Sequence, residues 1–160
     1  MPETVIIGCG KLKHPRPLPA QHLYRSVYIR YAVGWSKSIG SAPLILSAKY
    51  GLIEGTRTIA PYTASFKKRL DGFAAEAAGI RLERPAPVSL VAEQVRALGL
   101  SGSVILLAGA DYRRVLAEAA PDLEQRNPFL ELARERFSDG RPGYQVKLMR
   151  EFWGKVPPLM

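Results

Sequence analysis

The chain has 160 residues, of which 47% are apolar and 23% charged; this balance suits one globular domain, predicted to span residues 1–160, and excludes a disordered chain. The single cysteine excludes an internal disulfide, and no spacing of Cys and His is typical of zinc, so neither a metal nor another cofactor is expected. No apolar run approaches the roughly 18 residues of a membrane span and no signal-peptide core follows the N-terminus, which predicts a cytoplasmic protein without a membrane partner.

The net charge of +9 is unevenly distributed along the chain. Residues 1–70 contain eleven Lys and Arg residues and two acidic ones, whereas residues 71–160 contain twelve of each. A one-sided basic excess suits a polyanion binder, because each neutralised phosphate releases condensed counterions; the alternative is a solvated surface of a basic protein. The expected partner is a nucleic acid or a nucleotide. Contacts to a nucleic-acid backbone are predicted at Lys13, Arg16, Lys67, Lys68 and Arg69.

In the first half of the chain, short apolar runs alternate with segments of helical spacing. The run at 4–7 predicts a buried strand that ends at Gly8-Cys9-Gly10. Three prolines within 14–20 predict a loop, and apolar residues four apart from Leu23 onward predict a helix that Gly40 ends. The run at 43–47 predicts a second strand. The apolar spacing between 65 and 78 predicts an amphipathic helix.

The second half adds one strand and several helices. Helical spacing at 88–98 is followed by the strand 103–108, after which Asp111 is a good N-cap for a helix to about residue 120. Asn127-Pro128 predicts a cap and first turn for the helix 129–137, and 144–153 predicts a last helix. Apolar strands separated by helices predict an α/β fold, with a small, mostly parallel sheet flanked by helices in three layers.

Unusual short segments follow all three predicted strands. Because the carboxyl ends of parallel strands meet at one edge of a sheet, and ligands bind there in open α/β sheets, we expect these segments to form one site. Small residues there permit a close approach of the backbone, and tyrosines supply faces on which a base can stack. The expected binding residues are Gly10, Lys11, Tyr24, Ser47, Tyr50, Gly51, Tyr62, Tyr112 and Arg113.

Three residues near the strand ends are candidates for catalysis, each with a structural alternative. Cys9 is a nucleophile if a neighbouring lysine lowers its pKa, or a small residue at the end of a strand. For Lys49 the alternatives are binding of a phosphate, attack on an aldehyde carbon as a Schiff-base amine, and an exposed position in a loop without a role at the site. Asp111 activates water or steadies a developing sugar cation, or is the N-cap of its helix.

These segments resemble a group of small phage and bacterial domains that is similar to the YaaA peroxide-stress proteins. The resemblance covers about residues 4–117 and rests on Cys-Gly-x-Lys, Leu-Tyr-x-Ser, Ser-Ala-Lys-Tyr-Gly, Pro-Tyr and Gly-x-x-Tyr-Arg. It implies a YaaA-like fold, DNA binding and a connection with base-modifying enzymes. The positions that match its motifs are Cys9, Lys11, Tyr24, Ser47, Lys49, Tyr50, Gly51, Tyr62, Tyr112 and Arg113.

The residues and the resemblance together predict a nucleic-acid-acting domain, directed at DNA, that recognises or processes a modified or damaged base. If it is an enzyme, cleavage of an N-glycosidic bond or exchange of a base fits best, with tyrosines stacking the extruded base. The alternatives are a non-catalytic DNA-binding module and a hydrolase or transferase acting on free nucleotides or nucleosides.

Overall fold

A computed structural model describes residues 3–66 and 83–158, and in these residues a mostly parallel sheet lies between two layers of helices. The strands are β1 (Val5–Gly8), β2 (Leu18–Pro19), β3 (Leu44–Ser47), β4 (Gly51–Glu54), β5 (Thr58–Ile59), β6 (Ser103–Leu107) and β7 (Glu124–Arg126). The helices are α1 (Ala20–Leu23), α2 (Val27–Ser38), α3 (Val88–Ala97), α4 (Ala110–Ala119), α5 (Pro128–Phe137) and α6 (Pro142–Glu151). The predicted three-layer α/β fold is confirmed.

The five strands of the main sheet are ordered β4-β3-β1-β6-β7, and β2 pairs with β5 in a separate ribbon. Strand β1 is parallel to both β3 and β6, β6 is parallel to β7, and only β4 runs antiparallel. The chain leaves β1 toward β3 but leaves β6 toward β7, in the opposite direction. The two neighbouring strands therefore form a topological switch point, where the chain segments that come after them diverge.

The central strands are continuous apolar runs because both of their faces are covered. Ile6, Ile45 and Leu106, one from each strand, are completely buried, as expected for a parallel sheet between helices. Helix α2 packs against β1 and against α6, which in turn packs against α5, while α3 packs against α4. Among the described residues, no helix has both the length and the apolar character needed to cross a membrane.

The predicted helix from Leu23 to Gly40 was wrong at its start. Tyr24 is extended and forms an isolated bridge with Lys13, and the long helix begins only after Ser26, whose Oγ accepts a hydrogen bond from the Ile29 N–H (3.3 Å). Leu23 belongs to the short helix α1. The four-residue spacing of apolar residues therefore crosses the break between α1 and α2 by coincidence. The proline-rich loop at 14–20 also contains strand β2.

The predicted helix at 65–78 falls mostly on residues 67–82, which lie outside the described residues. Three of the predicted backbone contacts, Lys67, Lys68 and Arg69, lie there as well.

The predicted cap at Asn127 is confirmed, and it also anchors a buried polar pair. Its Oδ1 accepts from the Leu130 N–H (3.1 Å), while its Nδ2 donates to the side chain of Gln145 (3.2 Å). We expect Asn127→Ala to lower the free energy of unfolding by about 2 kcal/mol, since it removes a cap and a buried partner. Chemical denaturation measures this loss. Asn127→Ser keeps a capping oxygen without burying a charge and should lose less; equal losses would contradict the capping role.

Candidate functional site

A cavity of about 330 Å³ opens at the switch point, between the ends of β1 and β6. Its walls come from both strand ends, the start of α2, and helices α4, α5 and α6. They are Gly8, Cys9, Gly10, Ser26, Tyr28, Ile29, Leu107, Ala108, Gly109, Tyr112, Arg113, Leu130, Arg134, Gly140, Pro142 and Gln145. Four of the predicted site residues are therefore on its walls: Cys9, Gly10, Tyr112 and Arg113.

The two glycines at the end of β1 permit the close packing around this cavity. A Cβ on Gly8 would lie 2.7 Å from the Cβ of Ala108 and 3.3 Å from the ring of Tyr112. A Cβ on Gly10 would lie 3.1 Å from the side chain of Ile29. Larger residues would therefore push the end of β1 away from the end of β6, at Gly8, and away from α2, at Gly10.

The walls of the cavity carry positive charge. Arg113 and Arg134 line it, and neither has an ion pair among the residues that the structure describes. Two helices begin at its rim: α2, which Ser26 caps, and α4, whose N-cap is Gly109 and whose first turn has no side-chain cap. The partial positive charge at a helix N-terminus adds to that of the arginines, so the cavity suits an anion.

Asp111 does not have the predicted N-cap position. It lies in the first turn of α4, two residues after the N-cap Gly109, and its carboxylate is 3.6 Å from the guanidinium of Arg114. An acidic residue in the first turn stabilises the helix through its dipole. Asp111 is not on the cavity walls.

Cys9 is a partly exposed thiol on the cavity wall. Its Sγ accepts a hydrogen bond from the backbone N–H of Ala48 (3.3 Å) and lies 2.8 Å from the hydroxyl of Tyr112. These contacts come from the segment after β3 and from helix α4, so they fix the sulfur from two sides. Cys9 is the only one of the three predicted catalytic residues that lines the cavity.

A cluster of hydrogen-bonded hydroxyls lies at the ends of β1 and β3. The Tyr62 hydroxyl is 2.5 Å from that of Tyr24 and accepts from Ser47 Oγ (2.9 Å), which itself accepts from the backbone N–H groups of Lys49 (3.2 Å) and Tyr50 (3.1 Å). The rings of Tyr50 and Tyr62 meet edge to face at 5.6 Å. The structure thus brings Tyr24, Ser47, Tyr50 and Tyr62 together, but none of them lines the cavity.

Lys49 and Lys13 occupy different environments beside this cluster. The ammonium of Lys49 forms a partly exposed ion pair with Glu83 (3.2 Å). The ammonium of Lys13 lies 4.3 Å from the centre of the Tyr62 ring and donates to the carbonyl of the exposed Lys11 (3.2 Å). Burial lowers the pKa of Lys13, although the neighbouring Cys9 and Glu83 oppose this effect.

Gly51 has a structural reason to be glycine. Its φ is +76°, a conformation that side chains rarely adopt, and the side chain of Gln94 occupies the space where a Cβ would project. That side chain donates to the carbonyl of Tyr50 (2.9 Å) and accepts from the N–H of Leu52 (2.7 Å). The turn between β3 and β4 is held by these contacts.

Sequence reasoning missed the residues that α5 and α6 contribute. Arg134 and Gln145 reach the cavity because α6 packs against α2 and α5 packs against α6. The Gln145 side chain accepts a hydrogen bond from the hydroxyl of Tyr28 (2.6 Å) and donates to the carbonyl of Gly140 (2.7 Å). A lone Arg or Gln on a helix carries no sequence signal of such a role. Ser26, which also lines the cavity, does carry a signal, because it belongs to the motif Leu-Tyr-x-Ser.

The buried tyrosines predict a loss of stability in alkali. Burial raises the pKa of four tyrosines far above their ordinary value of 10.0, most of all for Tyr62: Tyr24, Tyr28, Tyr62 and Tyr112. The nearby Cys9 adds to this effect for Tyr24, Tyr62 and Tyr112. The unfolded chain releases these protons near pH 10 whereas the folded chain keeps them, so their stabilisation is complete below pH 10 and is lost above it. The lowered pKa of Lys13 acts in the opposite direction, but it is one group against four.

We therefore expect the tyrosinate absorbance of these four residues to rise together with the loss of circular dichroism during a titration with base. In Tyr62→Phe, the fall in the free energy of unfolding above pH 10 should be less steep by about 1.4 kcal/mol per pH unit. Ionisation of these tyrosines before the fold is lost would contradict their burial.

The residues that the structure describes contain no group of three or more His, Cys, Asp or Glu side chains placed to hold a metal ion. No curated protein and no solved structure matches the chain. Residues 4–136, most of the 160, match the model of a family of unknown function, DUF6884. Because this match spans the sheet, the switch point and most of the cavity walls, the chain belongs to the DUF6884 family.

Proposed function

We propose that the chain is a nucleic-acid-acting domain, directed at DNA, that takes one nucleotide with a modified or damaged base into the cavity at the ends of β1 and β6. The observation that carries this proposal is the place of the cavity at the switch point, with two arginines on its walls and two helix N-termini at its rim. Cavities in this position bind ligands in open α/β sheets, and this electrostatic arrangement suits a phosphate.

The dimensions and chemistry of the cavity support a nucleotide. Its volume of about 330 Å³ falls at the lower end of the range for small-ligand pockets. Arg113 and Arg134 supply charged donors for the phosphate, and Tyr28 and Gln145 form a hydrogen-bonded pair that shapes the wall. The resemblance of the sequence motifs to YaaA-like proteins favours DNA as the polymer. The cytoplasm suits a chain whose only cysteine is a free thiol.

The reaction that we assign is cleavage or exchange at the N-glycosidic bond, with Cys9 as the nucleophile. Its sulfur attacks C1′ of the sugar and forms a C–S bond while the C1′–N bond breaks. The base leaves with the bonding electron pair and takes the thiol proton. Water, or a second base, then displaces the sulfur and restores the thiol. A thiol is the strongest nucleophile on these walls near neutral pH.

The test is incubation of the purified protein with oligonucleotides that carry modified bases, followed by mass spectrometry for released base and for a covalent adduct. We expect an adduct on the peptide that contains Cys9, and its loss in Cys9→Ser. Lys49→Met and Asp111→Asn are matched controls and should react normally, because both residues lie off the cavity walls.

Two results would overturn the assigned chemistry. An adduct that borohydride traps on Lys49 would move the nucleophile to the amine, and tight binding of DNA without release of any base would favour a non-catalytic module. Turnover of mononucleotides with no reaction on oligonucleotides would identify a free nucleotide as the substrate.

A further inference from the structure

A second concave surface, which we call the basic groove, runs beside helix α2. It encloses about 790 Å³. Basic and histidine side chains dominate it, and no Asp or Glu of the described residues lines it. Its basic and histidine residues are His14, Arg16, His22, Arg25, Arg30 and Lys37.

The four Arg and Lys residues of the groove are Arg16, Arg25, Arg30 and Lys37. All are exposed, and none forms an ion pair within the part of the chain that the structure describes. Arg30 and Lys37 are two turns apart on α2 and so project from the same face of the helix. Like charges gathered in this way repel one another, and an elongated polyanion that lies along the groove would relieve that repulsion.

An exposed aromatic side chain adjoins the groove. Trp153 is 48% exposed and lines a hollow of about 450 Å³ with Val27, Arg30 and Tyr31. Arg30 lines both the hollow and the groove. The hollow thus places an indole next to the row of charges.

The turn that carries Trp153 is held firmly on α2. The indole N–H of Trp35 donates to the carbonyls of Phe152 (3.0 Å) and Lys155 (2.9 Å), and the N–H of Gly154 donates to Ser38 Oγ (2.8 Å). Gly34 lets the Trp153 ring lie against the helix, because a Cβ there would lie 2.5 Å from that ring. Glycine costs a helix about 1 kcal/mol relative to alanine, so the fold gives up helix propensity at this position to seat an exposed indole.

We propose that a single-stranded nucleic acid binds along α2, with its phosphates in the basic groove and one base stacked on Trp153. Alternation of charged residues with an exposed aromatic face is the arrangement that binds single strands, whose bases are free to stack, whereas a duplex hides its base faces. The inference rests on the proposed function in one respect, that the ligand is a nucleic acid.

The groove and the cavity are both lined by residues from one segment of the chain. Ser26, Tyr28 and Ile29 line the cavity, whereas Tyr24, Arg25 and Arg30 line the groove. One short stretch, residues 24–30, therefore contributes side chains to both. A nucleotide of a single strand bound near this stretch would enter the cavity without the cost of leaving a duplex.

The test is fluorescence anisotropy with a labelled single-stranded oligonucleotide and with a duplex of the same sequence, over a range of salt concentrations. We expect tighter binding of the single strand. The double variant Arg30→Gln, Lys37→Gln should weaken binding about tenfold or more and flatten the salt dependence. Arg84→Gln, Arg96→Gln removes the same charge from exposed residues outside the groove and is the control.

Stacking on Trp153 has its own readout. Trp35 is buried and Trp153 exposed, so binding should quench the fluorescence of Trp153 selectively. Trp153→Ala should weaken binding about tenfold, and Trp153→Phe should restore most of it. Preference for the duplex, no quenching, or equal losses in the groove and control doubles would each overturn the inference.

The outcomes also separate this inference from the proposed function. If the groove variants lose oligonucleotide binding but no modified base is ever released, binding in the groove is supported and the proposed reaction is contradicted. If base is released and the groove variants behave like the control, the proposed reaction is supported and binding in the groove is contradicted. No binding of any oligonucleotide at low salt overturns both.

Discussion

Cys9→Ala is expected to slow base release by about a thousandfold or more, because it removes the nucleophile that we propose for the bond to the sugar. It should also lower the free energy of unfolding by about 1–3 kcal/mol. The Tyr112 hydroxyl, which lies 2.8 Å from Sγ and is largely buried, would then lose its hydrogen-bond partner. Single-turnover kinetics and chemical denaturation measure the two effects separately.

A double-mutant cycle distinguishes the chemical role of Cys9 from its structural one. Tyr112→Phe in the Cys9→Ala background removes the orphaned hydroxyl and should recover part of the lost stability, without any recovery of rate. The single variant Cys9→Ser retains a hydrogen-bonding group and should be nearly as stable as the parent. Its base release should be as slow as that of Cys9→Ala. Base release by Cys9→Ser at the parent rate would refute the nucleophilic role.

The sequence predicts the three central strands because each is an unbroken apolar run buried on both faces, a pattern with few alternatives. The remaining strands carry no such pattern. Strand β7 consists of three polar residues at the edge of the sheet, and β2 and β5 have two residues each. Short edge strands form because a neighbour offers unpaired backbone groups, and this depends on the tertiary fold.

The position of the candidate site at the strand ends is also predictable, but its exact walls are not. The expectation that all three strand ends meet in one cavity overlooked the different paths that the chain takes beyond each strand. Strands β1 and β6 lead into helices that diverge and open a crevice, whereas β3 turns back into the antiparallel β4. The turn therefore holds Lys49 away from the crevice, and Lys49 pairs with Glu83 instead. Arg134, from a helix that is distant in the sequence, supplies positive charge to the cavity walls.

Trp35→Ala is expected to lower the free energy of unfolding by about 3–5 kcal/mol, a large part of the roughly 5–15 kcal/mol that a domain typically possesses. The side chain is 0% exposed and meets the ring of Phe129 edge to face at 4.7 Å, so it joins α2 to α5. Its removal leaves a cavity that the surrounding helices can fill only in part. Thermal or chemical denaturation measures the loss, and Trp153→Ala, which truncates the half-exposed tryptophan, should cost far less.

Trp35→Phe separates the packing of this side chain from its hydrogen bonds. Phenylalanine keeps an aromatic ring against Phe129 but loses the N–H that donates to the carbonyls of Phe152 and Lys155. We expect a loss of about 1–3 kcal/mol, since two partly buried hydrogen bonds lose their donor, in a protein that still folds. Because those bonds hold the turn that carries Trp153, the folded variant should also bind single-stranded oligonucleotides more weakly, with less quenching of Trp153. Parent-like quenching in Trp35→Phe would mean that the contact with Gly34 and the hydrogen bond from Gly154 to Ser38 suffice to hold the exposed indole.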